Sequence, residues 1–307
     1  MSIIKISEKT TSYILIITSI TVFFLGFYLR EISNGAAHTD FQLHIWPLVN
    51  DFNENYFYTL SNYLDYREAT FPFYHTIQSL FNPFKYNYIY FSLLNSILNL
   101  LILYIFFYFL KKKIPINKMS SSFFILPFIF LLSPWFRSTS YWSTTENFAL
   151  FFLIPACYYL LLLIKNEDNF RSNLLLTLFI ALAIYSRQQF LFLALTHLTI
   201  IFLSKNYIKL FNTCIYYLVF SLPGLYTYYL WDVFNNINNA TSASSYISLK
   251  NIFTNIPKIS TLIFFYSIPI IFLNFKTIIN YINFKKLLIY FIILIIIKFI
   301  LYKNVNY

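Results

Sequence analysis

The sequence is poor in charged residues, above all in acidic ones. Only 11% of its 307 residues are charged, against 59% hydrophobic, and just eleven are Asp or Glu. A globule of this size would then expose mostly apolar side chains to water, which excludes an ordinary soluble domain. The mean hydropathy of +0.62 therefore predicts an all-α polytopic membrane protein whose solvent is largely lipid.

Glycine and cysteine are also scarce. Cys157 lies in an apolar run and Cys214 at the edge of another, which excludes a disulfide framework. Three glycines, no internal repeat and Lys298 as the one clear charge within a predicted span are atypical of alternating-access transporters. An enzyme is therefore favoured over a lipid or small-solute transporter or flippase, which stays as the alternative.

The apolar runs predict about nine transmembrane helices. They cover residues 12–28, 89–110, 120–132, 147–164, 173–186, 190–204, 215–231, 259–273 and 287–301. Several are shorter than the roughly 20 residues of a perpendicular helix, so we expect interfacial Tyr and Trp to extend them or some segments to be re-entrant. Together they predict a single integral membrane domain over residues 1–307.

Cations are distributed unequally between the two sides of these spans. One side carries thirteen cations and three acids, and the other carries eight of each. The positive-inside rule makes the first side cytoplasmic and places the N-terminus there, ahead of an uncleaved signal anchor. With Lys298 inside the last span, this split accounts for the net charge of +11. The basic balance thus reflects topology and membrane lipids, and does not indicate a nucleic-acid partner.

Rare polar residues are concentrated in the first outer segment, residues 30–87. This segment holds six of the eleven acids and three of the four histidines. In a helix, Asp40, His44 and Asp51 share one stripe, with apolar side chains opposite. We expect an outward-facing helix in the membrane interface, bent at Pro47. The function should therefore face the exoplasmic side.

An outward carboxylate has the chemistry of a general base. Asp40 or Asp51 could take a proton from a sugar hydroxyl, with His44 contacting substrate; solvated loop charges or helix caps are the alternative. His38, Asp40 and His44 also offer ligands for a divalent cation. The spacing is a weak metal signal, so we predict no certain cofactor and no metal-ligand residues, while leaving a divalent cation open.

Two outward arginines are candidate phosphate ligands. Arg187 interrupts two apolar runs in "SRQQF", where its planar fork could hold a lipid phosphate and Gln188 or Gln189 could add donors. Arg137 is a second candidate. Snorkelling to headgroups is the alternative for Arg187, and an aromatic belt explains the Trp and Tyr residues around Arg137 equally well.

Three further outer residues are candidate substrate contacts. Glu146 precedes a span, where it could equally cap the helix. Arg67 stands beside Glu68, with which it could form an exposed pair. His75 could contact a sugar or simply bond water.

Four short pieces together resemble one enzyme family. "TDFQLHI" at Thr39 to Ile45 and "LDYREATFPFYHTI" at Leu64 to Ile77 resemble "MDE-x-FHI" and "WDP-x-ITT-x-PGLY" in the first lumenal loop of the dolichyl-phosphate-glucose-dependent α-1,2-glucosyltransferases. "YWSTTENFALFF" at Tyr141 to Phe152 and "SRQQF" at Ser186 to Phe190 resemble that family's "YYTD" and "FRQTN". Order and topological side agree, and the resemblance covers residues 12 to about 200.

The resemblance implies a glycosyltransferase of the type C (GT-C) fold. Such an enzyme takes a sugar, here a hexose such as glucose, from a polyprenyl-phosphate and adds it with inversion to a lipid-linked or cell-envelope glycan. Of the family's acidic pair only Asp40 carries over, and the Pro-Gly of the second motif is Pro72-Phe73 here. An inactive assembly protein that retains this fold is a further alternative.

Overall fold

The computed structural model describes residues 8–32, 35–66, 70–84, 86–113 and 128–231, and across these ranges the chain is helical, with no strand. These residues lie within one compact unit, residues 1–240. The helices are α1 (Glu8–Tyr28), α2 (Gly35–Asp40), α3 (Trp46–Glu54), α4 (Tyr56–Ser61), α5 (Phe73–Phe81), α6 (Tyr88–Lys113), α7 (Ile129–Leu132), α8 (Pro134–Tyr141), α9 (Thr145–Ile164), α10 (Phe170–Ser186), α11 (Leu191–Leu203) and α12 (Tyr207–Leu230). The predicted all-α class is confirmed for this part of the chain.

Three described helices are long and apolar enough to cross a membrane. They are Tyr88–Lys112, Thr145–Ile164 and Tyr207–Leu230, and shorter apolar helices cover Tyr13–Tyr28, Phe170–Ser186 and Gln188–Leu203. This supports association with a membrane. The predicted spans 259–273 and 287–301 and most of 120–132 lie outside the described residues, so the count of nine, the orientation and the single domain over the whole chain stay predictions.

Helices α9 to α12 run up and down, and their turns define two ends of the bundle. The turn between α9 and α10 and the turn between α11 and α12 form one end, here the Lys209 end, where Lys209 forms an ion pair with Asp168. The turn between α10 and α11 lies at the opposite end, here the Arg187 end. Between them, Leu176, Ile180 and Ile201 form the core of the bundle.

The first outer segment packs against the Arg187 end. Trp231, just after α12, donates its indole N–H to Leu60 O at 2.8 Å, and its ring stacks on Tyr63. The Tyr74 hydroxyl donates to Ser143 O, just before α9, at 2.5 Å. The first outer segment is built from short helices and lies at one end of the bundle, and the predicted position of this segment in the membrane interface stays a prediction.

A π-helical turn at Phe41–Ile45 joins α2 to α3, and Pro47 is the second residue of α3. The Trp46 N–H donates to Phe41 O, five residues back, which is the spacing of a π-helix. Ile45 and Val49 are buried, whereas Asp40 and His44 are exposed. The amphipathic pattern of the predicted helix is thus confirmed, and its bend at Pro47 stays a prediction.

Candidate functional site

An ion pair between Arg187 and Glu146 forms the centre of the Arg187 end. Arg187 follows the last residue of α10 with extended backbone, φ −151° and ψ 109°, and Glu146 lies in the first turn of α9. Their side chains are 24% and 23% exposed, so the pair is only partly screened by solvent. A carboxylate in the first turn of a helix is also stabilised by the helix dipole, by about 0.3–1 kcal/mol.

One carboxylate oxygen of Glu146 accepts no hydrogen bond from Arg187 and is available to a ligand. Glu146 Oε1 contacts Arg187, whereas Glu146 Oε2 is buried and has no hydrogen-bond partner among the described residues. A buried carboxylate oxygen without a donor is costly. A hydroxyl donor from a ligand would satisfy it.

Gln188 and Gln189 lie in a single 3-10 turn, Gln188–Phe190, that joins α10 to α11. Both side chains are exposed. The predicted helix hairpin at "RQQ" is confirmed, and the amides lie next to Arg187 in sequence at the same end. Their contact with a phosphate stays a prediction.

An apolar groove of about 540 Å³ is lined by residues of α10, α11 and α12 and by Phe71. Its lining includes Tyr185 and Leu191, two residues before and four residues after Arg187. Nearly all of its lining is apolar, which suits a hydrocarbon chain. Arg187 itself is not part of the lining, but two lining residues are close to it in sequence at the same end of the bundle.

Asp40 ends α2, and its side chain is exposed. It caps no helix and forms no hydrogen bond or ion pair with the residues that the structure describes. His44 lies one turn further and is also exposed. Both side chains can reach a solvent-borne ligand.

Asp51 has a protein partner. Its Oδ2 accepts a hydrogen bond from the Tyr66 hydroxyl at 2.7 Å. Burial, followed by that bond, raises the pKa of Tyr66 to about 12. Asp51 therefore ties α3 to the turn after α4, whereas Asp40 has no such structural bond.

His75 is fully buried in α5. Its Nδ1 lies 3.2 Å from the Tyr63 hydroxyl, and its Nε2 has no described partner. Burial, with a smaller effect of the nearby His44, lowers the pKa of His75 to about 3. The predicted sugar contact of His75 stays a prediction. Because it is buried, His75 belongs to the core of the outer segment.

Arg137 is held by a partner that the sequence did not reveal. Its Nε and Nη2 donate to the two carboxylate oxygens of Glu31 at 2.9 and 2.8 Å, and its Nη1 donates to Leu132 O at 2.9 Å. The Trp142 indole N–H also donates to Glu31 O at 3.1 Å. Arg137 thus links α8 to the end of α1, and its role as a phosphate ligand stays a prediction.

Two further predictions concern a metal and Arg67. No group of three or more potential metal ligands occurs among the described residues. His38 instead packs edge-on against Trp142, with ring centroids 4.3 Å apart. Arg67 lies outside the described residues.

Comparison with known proteins gives no match: no family model, no curated protein and no solved structure is similar to this chain.

Proposed function

We propose that this protein is a membrane glycosyltransferase that moves a hexose, such as glucose, from a polyprenyl-phosphate donor to a glycan or lipid-linked acceptor on the exoplasmic face, with inversion. The observation that carries the proposal is the Arg187–Glu146 pair at the end of the bundle where Tyr185 and Leu191, two and four residues from Arg187, line an apolar groove. A lipid-linked phosphate sugar has the complementary chemistry: a hydrocarbon tail, an anion and a set of hydroxyls. The resemblance described above points to the same substrate class.

Arg187 is the proposed ligand for the donor phosphate. A guanidinium offers five N–H donors in a planar fork and binds phosphate oxygens bidentately. The groove lined by Tyr185 and Leu191 would hold the first isoprene units. Gln188 and Gln189 would donate to the phosphate as negative charge develops on it in the transition state.

Glu146 is the proposed contact to the transferred sugar. Its buried Oε2 lacks a donor among the described residues, and a sugar hydroxyl would supply one. Its bond to Arg187 fixes the carboxylate beside the proposed phosphate site. The same pair would thus orient the two ends of the sugar–phosphate bond.

Asp40 is the proposed general base, with Asp51 the second candidate. In the reaction the acceptor hydroxyl oxygen attacks the anomeric carbon, the bond from that carbon to the phosphate oxygen breaks, and polyprenyl phosphate leaves with the electron pair. The hydroxyl proton passes to the carboxylate. Asp40 is exposed and uncommitted, whereas Asp51 already accepts the Tyr66 hydroxyl.

The Arg187→Lys variant tests the phosphate site. Lysine keeps the charge but loses the planar fork, so we expect kcat/KM for the donor to fall by about ten- to a hundredfold, the range of one charge-assisted hydrogen bond. The assay uses purified protein in liposomes with several radiolabelled polyprenyl-phosphate sugars. Arg171→Lys, on the same helix but at the Lys209 end, is the matched control and should retain activity. Unchanged kinetics in Arg187→Lys would contradict the phosphate site and favour a contact of Arg187 with lipid headgroups.

The Asp40→Asn variant tests the base. Removing the carboxylate while keeping its size should lower kcat by roughly 10² to 10⁴, with donor binding largely kept. Asp65→Asn, exposed in the same outer segment, is the control. If Asp40→Asn turned over at the wild-type rate and Asp51→Asn were inactive, Asp51 would be the base. If both variants stayed active, neither carboxylate of the acidic stripe would be the base. Donor carried across the bilayer without hydrolysis or transfer would indicate a flippase instead.

A further inference from the structure

A second, larger cavity lies at the Lys209 end of the bundle, opposite the candidate site. Its volume is about 820 Å³, and it lies between the ends of α9, α10, α11 and α12. Many of its lining residues are polar, unlike those of the apolar groove: Asp168, Asn169, Asn173, Asn206, Lys209 and Asn212. Neither the proposed reaction nor the resemblance assigns a role to it.

The floor of this cavity is held rigidly by hydrogen bonds. Asn173 donates its amide to Thr213 Oγ1 at 2.9 Å, and its Oδ1 lies 3.0 Å from His197 Nε2. His197 is fully buried and also contacts the Tyr217 hydroxyl at 3.0 Å. Beside this network the ion pair of Lys209 with Asp168 joins α12 to the turn before α10. Both polar atoms of the Asn173 amide are therefore held by bonds to the protein.

The rim of the cavity is apolar and lies at the boundary of the candidate spans. Ile164, Phe170, Leu203 and Ile208 line it, and each is more than half exposed. Ile164 is the last residue of one candidate span and Tyr207 the first of another. A polar cavity with an apolar rim at this depth suits a molecule with a polar head and hydrocarbon tails.

The chain next to the cavity carries excess positive charge. Lys209 and Asp168 line the cavity as an ion pair, and Lys165, Arg171 and Lys205 each directly adjoin a lining residue in sequence, as does the acid Glu167. Helices α10 and α12 also begin here, at Asn169 and Asn206, so the positive ends of two helix dipoles point at the cavity. An anion is the favoured occupant.

We propose that this cavity binds the phosphate-bearing headgroup of an acidic membrane phospholipid, with the acyl chains lying against the apolar rim. The site is separate from the proposed glycosyl transfer and does not depend on it. In the predicted orientation it takes lipid from the inner leaflet, where Lys and Arg near the surface attract acidic lipids.

Native mass spectrometry of the full-length protein tests this proposal. Detergent-solubilised protein is titrated with phosphatidylglycerol or with phosphatidylcholine, and the affinity of the first bound lipid is compared. We expect phosphatidylglycerol to bind at least about fivefold tighter, the effect of one surface cation. Equal affinity for the two lipids would overturn the proposal.

Two charge variants separate a specific site from diffuse attraction. The triple variant Lys165→Gln, Arg171→Gln and Lys205→Gln should lose the preference for phosphatidylglycerol. The matched control Lys111→Gln, Lys112→Gln and Lys113→Gln removes the same charge from the predicted same side, at the end of α6, and should keep it. Equal loss in both triples would show that no specific site exists.

A filled cavity gives a readout that does not involve charge. Asn212→Trp places a large side chain in the cavity, so the preference for phosphatidylglycerol should vanish while the thermal midpoint stays near that of the wild type. A retained preference would place the lipid elsewhere and refute the proposal. Millimolar inorganic phosphate should not displace phosphatidylglycerol; if it does, the cavity is a site for soluble phosphate and the lipid proposal is wrong.

Discussion

At the scale of single residues, some of the predicted site residues form hydrogen bonds to other parts of the fold, and others do not within the described part of the chain. Asp51 and Arg137 bond Tyr66 and Glu31, whereas Asp40 is exposed and bonds no described residue. The difference matters for chemistry, because the bond from Tyr66 restricts how the Asp51 carboxylate can turn toward a substrate, whereas no such bond from a described residue holds Asp40. Among the predicted acids, Asp40 therefore keeps the strongest claim to general-base chemistry.

The buried imidazole of His75 predicts a pH-dependent stability. Its pKa of about 3 lies below its ordinary value of 6.5, so the unfolded chain takes up a proton below pH 6.5 while the folded protein does not until about pH 3. The contribution is fully present above pH 6.5 and is lost as pH falls toward 3, by at most about 1.4 kcal/mol per pH unit. His75→Gln should flatten the fall of the thermal midpoint between pH 7.5 and 5.

The control for this measurement is His38→Gln, which leaves His75 in place and should retain the wild-type profile. Circular dichroism of the detergent-solubilised protein gives the thermal midpoint at each pH. A wild-type pH dependence in His75→Gln would mean that another group takes up the proton on unfolding.

Sequence reasoning located the polar residues of the site but could not pair them. Glu31 and Arg137 are 106 residues apart, and no local pattern reports a contact over such a distance. The pairing of Arg187 with Glu146 follows only once α9 and α10 are known to be antiparallel neighbours. His75 is predicted to contact a sugar or to bond water, and its burial depends on how α5 packs, which the sequence alone does not show.

At the scale of helices, hydropathy predicted the apolar cores of the elements better than their ends. The predicted spans 89–110 and 147–164 match Tyr88–Lys113 and Thr145–Ile164 closely. The predicted span 215–231 misses the first two turns of α12, because that helix begins at an Asn206 cap and continues through Lys209 and Asn212. Hydropathy reports lipid contact, whereas caps and backbone hydrogen bonds set where a helix begins.

The Tyr185 hydroxyl of α10 bonds the backbone of α12 where Pro223 interrupts its hydrogen bonds. Pro223 lacks an N–H, so the helix loses one backbone hydrogen bond. The Tyr185 hydroxyl accepts from Gly224 N at 2.9 Å and donates to Phe220 O at 2.7 Å. These are two groups that an uninterrupted helix joins directly.

Removing this hydroxyl should destabilise the bundle. Tyr185→Phe deletes both hydrogen bonds but keeps the ring, and we expect a loss of about 1–2 kcal/mol, read as a lower thermal midpoint in detergent. Tyr229→Phe, on an exposed face of α12, is the control and should behave as wild type. Equal midpoints for Tyr185→Phe and wild type would mean that α12 closes its own backbone bond when the hydroxyl is absent.

At the scale of the whole molecule, the two ends of the helical bundle differ in chemistry. The Arg187 end carries the outer segment with most of the acids and histidines, and the Lys209 end has short turns rich in Lys and Arg. This segregation agrees with the split of thirteen and eight cations on which the orientation rests. The contacts of Leu60 with Trp231 and of Tyr74 with Ser143 place the outer segment at one end, but a helical bundle alone does not say which side of a membrane that end faces.

The orientation predicts which residues a membrane-impermeant maleimide labels in intact cells. In a background with Cys157→Ala and Cys214→Ala, single substitutions Asn53→Cys and Gln188→Cys should be labelled without permeabilisation, because both lie at the Arg187 end. Asn166→Cys, exposed in the turn between α9 and α10, is the matched probe of the Lys209 end and should be labelled only after permeabilisation. The positive-inside rule requires this pattern, since the turns at the Lys209 end hold the cations that resist translocation. If Asn166→Cys alone were labelled in intact cells, the orientation would be the reverse of the predicted one. Arg187 and Asp40 would then lie on the cytoplasmic side, and the exoplasmic reaction proposed for them would be ruled out.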